Sequence, residues 1–384
     1  MSESEAPRLK KISVANQKGG VGKTTSSVNL AACLAAANYK TLLVDLDPQG
    51  NATSGLGIDR YVSNTIYDVL IGKVELDEAI QDSYLPNLKV IPANQNLIGA
   101  EVELINAISR EKKLKTALKK LTDDYRFVIF DCPPSLGLLT INAFTASDSL
   151  LIPLQCEYYA LEGLGQLLNT YQIVKEDLNE DLQIEGILLT MYDARNKLTH
   201  EVEKEMHQHF PKDVLETKVP RNIKLSEAPS FGRPVVLYDI DSKGCHAYLD
   251  LASEILVRNH YPKPDWKEFI STQREAQREQ AKPAQEENVS EAAAPTVQVS
   301  AEEIFVMSSE VVPEVSVEIE EVRIDEVKSE DAVLSEELSF SDEEMEPVQT
   351  PEVLIDEPTK VEEVAETAVV TDSVQHEQPQ NLNV

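Results

Sequence analysis

The sequence predicts an α/β fold: a mostly parallel, twisted sheet with helices on both faces, followed by an acidic tail. Three observations carry this. Fully apolar runs of strand length alternate with helix-length patterns through residues 11–260. A glycine-rich loop separates the first such run from the first helix. The charge is also split: residues 1–261 hold 27 Lys and Arg against 35 Asp and Glu, net −8, whereas residues 262–384 hold 8 against 32, net −24. Strands that are apolar throughout are buried on both faces, as in a parallel sheet joined by crossover helices.

Taken in order, the β-rich run from Lys10 meets the glycine loop, and residues 24–37 follow with Val28, Leu30, Ala31, Ala32, Leu34 and Ala35 in a strong helix former. Thr41 to Val44 is the second strand, ending in Asp45 and Asp47. Strand, loop, helix, strand is a βαβ unit. Leu88 to Ile91, Phe127 to Phe130, Ser149 to Pro153 and Ile184 to Thr190 are further strands. Leu97 to Leu121 reads as one long helix carrying Leu104, Ile108, Leu114, Leu118 and Leu121. Glu162 to Val174, Leu198 to Phe210 and Lys243 to Leu256 are the other helices. Residues 1–10 form a short extension and 11–260 the domain. In 261–282, a polar linker, there is room for one charged helix with Trp266, Phe269 and Ile270 on one side. Residues 283–384 contain neither Tyr nor Trp and are rich in Glu, Val, Ser and Pro. Such a segment buries too little apolar area to offset its ordering entropy and is expected to be disordered. It could engage a basic partner.

Composition excludes several classes. The cysteines Cys33, Cys132, Cys156 and Cys245 show no C-x-x-C spacing, which fits a reduced, cytoplasmic protein. His200, His207 and His209 cluster without a second ligand set, so a solvated helix face is the better reading. No apolar stretch approaches the ~20 residues of a spanning helix, and Met1 to Lys11 lacks the apolar core of a secretory signal.

The chemistry concentrates in residues 16–25, Asn-Gln-Lys-Gly-Gly-Val-Gly-Lys-Thr-Thr. Gly-Val-Gly-Lys-Thr between a strand and a helix is the context of a phosphate-binding loop. Gly19, Gly20, Val21 and Gly22 let the backbone wrap the β-phosphate, and the amides through Lys23, Thr24 and Thr25 join the positive end of the helix. Lys23 would reach the β- and γ-phosphates of ATP, and the Thr24 hydroxyl would bind Mg²⁺. The usual first glycine is replaced by Gln17, and Lys18 precedes the glycine pair instead. That is the deviant form of the P-loop NTPase signature. Asp45 and Asp47 project the same way from the end of the second strand, one towards the metal site and one towards water. Asp131 ends Phe-Val-Ile-Phe-Asp, where a Walker-B aspartate holds the Mg²⁺ water shell.

Lys18 to Thr25, Val44 to Asn51, Phe130 to Pro134, Thr190 to Arg195 and Pro220 to Pro229 resemble the ParA/Soj family of partition ATPases over about residues 9–258. The resemblance implies a homodimer sandwiching two ATP molecules, with Lys18 of each chain on the other's phosphates. It implies Lys23 on phosphate, Thr24 and Asp131 on Mg²⁺ with Asp45 in support, and Asp47 orienting the attacking water. Pro220 and Asn222 match residues near the adenine. It further implies non-specific DNA binding, with Arg195, Arg221, Lys224, Arg233 and Lys243 as candidates, Arg221 alternatively serving the nucleotide. A ParB-like partner would stimulate slow hydrolysis, and the protein would sit on the nucleoid. No helix-turn-helix extension precedes the loop, so operator-specific repression is not expected. A MinD-like positioning ATPase would need a basic amphipathic C-terminus, but this one is acidic. A nitrogenase-iron-protein relative would need matched cluster cysteines.

Overall fold

A computed structural model describes residues 9–121, 124–157 and 160–281. The expected N-terminal extension up to residue 8 and the expected acidic tail lie outside the described residues. In chain order the elements are β1 (Lys10–Val14), α1 (Lys23–Ala36), β2 (Thr41–Asp45), α2 (Asn51–Gly55), α3 (Ile66–Leu70), β3 (Gln81–Asp82) and β4 (Leu88–Ile91). Then come α4 (Leu97–Glu103), α5 (Lys113–Leu118), β5 (Phe127–Asp131), α6 (Leu138–Ala146), β6 (Ser149–Gln155) and α7 (Ala160–Asp177). The last are β7 (Gln183–Tyr192), α8 (Lys197–His209), β8 (Val214–Pro220), α9 (Ile223–Glu227), α10 (Val235–Tyr238), α11 (Lys243–Arg258) and α12 (Lys267–Ala281).

The strands form one sheet in the order β3-β4-β2-β5-β1-β6-β7-β8, parallel except for β3 against β4. Alternate strand residues feed two cores, because successive side chains leave a strand on opposite faces. Leu42, Val44, Val128 and Phe130 pack with α4 to α8, while Leu43, Phe127 and Ile129 pack with α1 and α11. β1 lies between β5 and β6, so the chain's two halves diverge at its C-terminal end. In such sheets that crevice is where ligands bind.

Two expectations needed correction. The helix expected over Leu97 to Leu121 is broken: α4 stops at Glu103, Ser109 takes φ 53°, and a tight turn at Arg110–Lys112 precedes α5. Its apolar residues belong to two faces. Leu97, Leu104, Leu114 and Leu118 are buried, but Ile108, read as part of the core stripe, is 90% exposed. β8 was not foreseen, since its alternation is interrupted by Glu216 to Lys218 and its register with β7 is irregular. The helix expected within the polar linker is present as α12. It is docked, with Trp266, Phe269 and Ile270 against the α1/α11 core and the Trp266 indole donating to Ser253 Oγ (2.9 Å).

Candidate functional site

The loop between β1 and α1 is pinned from both sides. Thr190 of β7 donates its hydroxyl to the Val21 carbonyl (2.8 Å), and the Asn16 amide donates to Pro153 O of β6 (2.8 Å). Asn16 Oδ1 in turn accepts from the Lys18 amide at 3.0 Å. Gly20 and Gly22 take φ of 75° and 87°, a region costly for any side chain, so the sharp turn into α1 requires glycine at both. The first amides of a helix have no intrahelical partner. Here they open on the crevice above β1.

Lys23 is 93% buried and donates to the Lys18 carbonyl at 3.1 Å. Burial lowers its ammonium pKa, opposed by Asp131 and Asp47 nearby. Asp131 is fully buried. The Ser27 hydroxyl, one turn into α1, lies 2.8 Å from its Oδ1, and Thr24 also hydrogen-bonds the carboxyl. Its Oδ2 has no partner. Burial, then the neighbouring Asp45, raises the Asp131 carboxyl to about 8. A buried carboxylate cannot stay ionised without compensation. The orphaned oxygen beside the Thr24 hydroxyl therefore fits a hard divalent cation such as Mg²⁺, which takes oxygen ligands and completes its shell with water and phosphate.

Asp45 is directly across from Asp131 in the sheet register and is equally buried. Its environment differs. Oδ2 accepts from both the amide and the hydroxyl of Thr53 (2.8 Å each), and Oδ1 from the Asp47 amide (3.1 Å). Burial still raises it to about 6. Its oxygens hold the β2–α2 loop in shape. Asp47, in that loop, accepts from the Gln49 amide at Oδ1 (2.9 Å) and faces Lys23 electrostatically.

Lys18 is half-buried. Its ammonium pairs with Glu157, just past β6, a partner 139 residues away with no local sequence signal. Thr53 and Ser27 were also unforeseen, although Ser27, at i+4 from Lys23, shares its helix face.

Pro220 and Asn222 line a cavity of about 260 Å³ with Gly22, Thr25, Met191 and Tyr248. It adjoins the phosphate loop and has the size of a nucleoside site. A larger open hollow of about 950 Å³ lies between β8 and α11, but it contains no residue of the phosphate loop. The five basic candidates are not one cluster. Arg195 grips Asp193 through two hydrogen bonds (2.9 Å each), and Arg221 acts on the same carboxyl while also lining the nucleoside cavity. Lys224 pairs with Glu227 at 2.9 Å. Arg233 lies over Tyr84 and at the edge of a cavity with Thr24 and Thr25, and Lys243 lines the larger hollow.

An AAA domain profile matches residues 9–184. The chromosome partitioning protein ParA of Myxococcus xanthus is 55% identical over 254 residues, which are 66% of this chain and 90% of that protein. The sporulation initiation inhibitor Soj of Bacillus subtilis is 57% identical over 245 residues, 64% of this chain and 97% of its own. The chain belongs to the ParA/Soj family. Among solved structures, a cobyrinic acid a,c-diamide synthase of Mycobacterium smegmatis with bound ADP and magnesium is 37% identical with a TM-score of 0.58, over 66% of this chain and 97% of that one. No helix among the described residues is long and apolar enough to cross a membrane.

Proposed function

We propose that this protein is a partition ATPase in which ATP drives dimerisation and DNA binding, and hydrolysis reverses both. The observation that carries the reading is the buried, unpartnered Asp131 Oδ2 beside Lys23 and Thr24 at a pre-shaped phosphate loop. Lys23 neutralises the β- and γ-phosphates, and the loop amides and helix end hold them. Thr24 and Asp131 would hold Mg²⁺, which would supply neutralisation of the charge on the phosphates. Asp47 orients the attacking water, and the adenine occupies the cavity beside Pro220 and Asn222. Lys18 leaves Glu157 to reach the phosphates of a second copy, so a closed site needs two chains. The catalytic domain comprises residues 11–260, with α12 appended.

Arg195 and Arg221 head the DNA face, joined by Lys224, Arg233 and Lys243. The domain is net acidic, so affinity comes from the Arg195–Arg221 pair beside Asp193 and from doubling the phosphate ion pairs in a dimer. A ParB-like protein bound to DNA stimulates otherwise slow turnover, releasing the dimer from the nucleoid and moving chromosomal or plasmid cargo. The relatives named for chromosome partitioning support this. A membrane-positioning role has less support: α12 turns Trp266, Phe269 and Ile270 into the core rather than outward.

The test is sedimentation of full-length protein with random-sequence duplex in ATP, ADP or no nucleotide at two salt concentrations. ATP-dependent, salt-sensitive binding is expected. Intact hydrolysis with no DNA binding in any state would overturn the reading.

A further inference from the structure

α1 carries two adjacent serines, Ser26 and Ser27, and both are fully buried. A serine inside a helix commonly spends its hydroxyl on the carbonyl one turn back, as Ser253 does with Leu249 O (2.8 Å). The hydroxyls of Ser26 and Ser27 also reach other elements, in opposite directions. Ser26 meets the hydroxyl of Tyr248 (3.1 Å), a residue of α11 that lines the nucleoside cavity. Ser27 lies 3.0 Å from the Lys23 carbonyl and 2.8 Å from Asp131 Oδ1 on β5. A serine hydroxyl has one proton to give. An ionised carboxylate is a stronger acceptor than a carbonyl, so Asp131 takes that proton whenever it is charged.

Thr24 and Ser27 stand at i and i+3 on α1 and therefore share a face. Both hydrogen-bond the Asp131 carboxyl, whose other oxygen, Oδ2, is buried without a partner. A carboxyl held at one point turns about that point, whereas one held at two is fixed. Asp45 is the opposite case: both of its oxygens accept hydrogen bonds, from Thr53 and from the Asp47 amide, so neither is open. Asp131 is held on one side only. Ser27 supplies that hold from the same helix that begins with Lys23 and Thr24, so the carboxyl of β5 is indexed to the phosphate loop before any nucleotide binds.

We infer that Ser27 is a positioning residue for the cation: its hydroxyl fixes Asp131 Oδ1 against α1 and thereby keeps Oδ2 open to Mg²⁺ beside Thr24. This rests on the proposed function, which gives Mg²⁺ to Thr24 and Asp131. Groups that orient a metal-binding side chain without touching the metal change metal affinity by about 10- to 100-fold when removed. Ser26, equally buried and one residue earlier, points to Tyr248 and is the internal control.

The experiment uses full-length protein and a fluorescent ADP, titrated first in EDTA and then with Mg²⁺. Binding of Mn²⁺ to the ADP complex, read by electron paramagnetic resonance, gives the cation affinity independently of turnover. Ser27→Ala is expected to raise the Mg²⁺ midpoint and the Mn²⁺ dissociation constant about tenfold or more. Its ADP affinity in EDTA should stay within about twofold of wild type. Alanine is the better helix former, so the fold is retained, and thermal melting checks it. Ser27→Thr, which keeps a hydroxyl in reach of the same acceptors, should stay within about threefold of wild type in both cation readouts. Ser26→Ala should leave the ratio of ADP affinities with and without Mg²⁺ unchanged. A cation affinity in Ser27→Ala equal to wild type would overturn the assignment. So would an equal loss of ADP binding with and without Mg²⁺, which is the mark of a merely structural serine. A wild-type protein whose ADP binding ignores Mg²⁺ altogether would instead sink the cation site in the proposed function.

Discussion

The phosphate site and the basic face hold their charges in opposite ways. At the phosphate site Lys23, Asp45 and Asp131 are buried, and their partners lie on other elements or loops: Lys18 O for Lys23, Thr53 of α2 for Asp45, and Ser27, across 104 residues, for Asp131. On the basic face Arg195 is exposed and Lys224 half-buried, and both are paired within their own turns, to Asp193 at i−2 and Glu227 at i+3. Buried groups with tertiary partners are fixed in place before any ligand arrives. Exposed local pairs are worth little and exchange readily. One region is built for position and the other for reversible association.

The largest effects should come from the buried region. Lys23→Ala is expected to weaken ATP binding by at least ~50-fold, since it removes a charge-assisted hydrogen bond to phosphate; isothermal titration checks it, and retained affinity would break the contrast. Asp47→Ala should bind ATP normally while hydrolysis falls ~100-fold or more, the scale of a lost water-orienting group, measured by phosphate release.

The buried region also predicts a pH dependence. Asp131 titrates at about 8 and Asp45 at about 6 in the fold, above the ordinary carboxylate range. With the folded pKa raised, the folded state holds more protons than the unfolded one at intermediate pH. Stability is then fully present at low pH and lost as pH climbs through 6 and 8. Thermal denaturation of the nucleotide-free protein should show the melting temperature falling from pH 6 to 8. Asp131→Asn should flatten that slope, and Mg²⁺ with ATP should stabilise most at pH 8. A slope unchanged by Asp131→Asn would remove this carboxyl as its source.

The exposed face should respond more weakly. Arg195→Ala is expected to lower the log–log salt slope of DNA binding by about 0.9 for each phosphate ion pair removed, without altering basal turnover. Smallest of all, Asp193→Asn frees Arg195 and should tighten DNA binding a few-fold, the scale of one exposed pair. An effect as large as that of Lys23→Ala would mean the face is as fixed as the phosphate site.

Local pattern carried far in this chain. The apolar runs from Leu42 to Phe130 identify buried parallel strands, and Lys18 to Thr25 identify the phosphate loop, because strand burial and a helix-capping glycine turn are both settled by neighbours in sequence. Leu97 to Leu121 misled because two stripes with different destinations overlap in one helical period, and only packing separates Leu104 from Ile108. The carboxylates show the same division. Sequence alone determined that Asp45 and Asp131 each end a buried strand. Tertiary structure decided that Asp45 is consumed by Thr53 while Asp131 keeps an open oxygen, and that Lys18 rests on Glu157. Which oxygen of a buried carboxylate finds a donor depends on how other elements fold against it, from Thr53 of α2 beside Asp45 to Ser27 of α1 beside Asp131, and no periodicity along the chain encodes their approach.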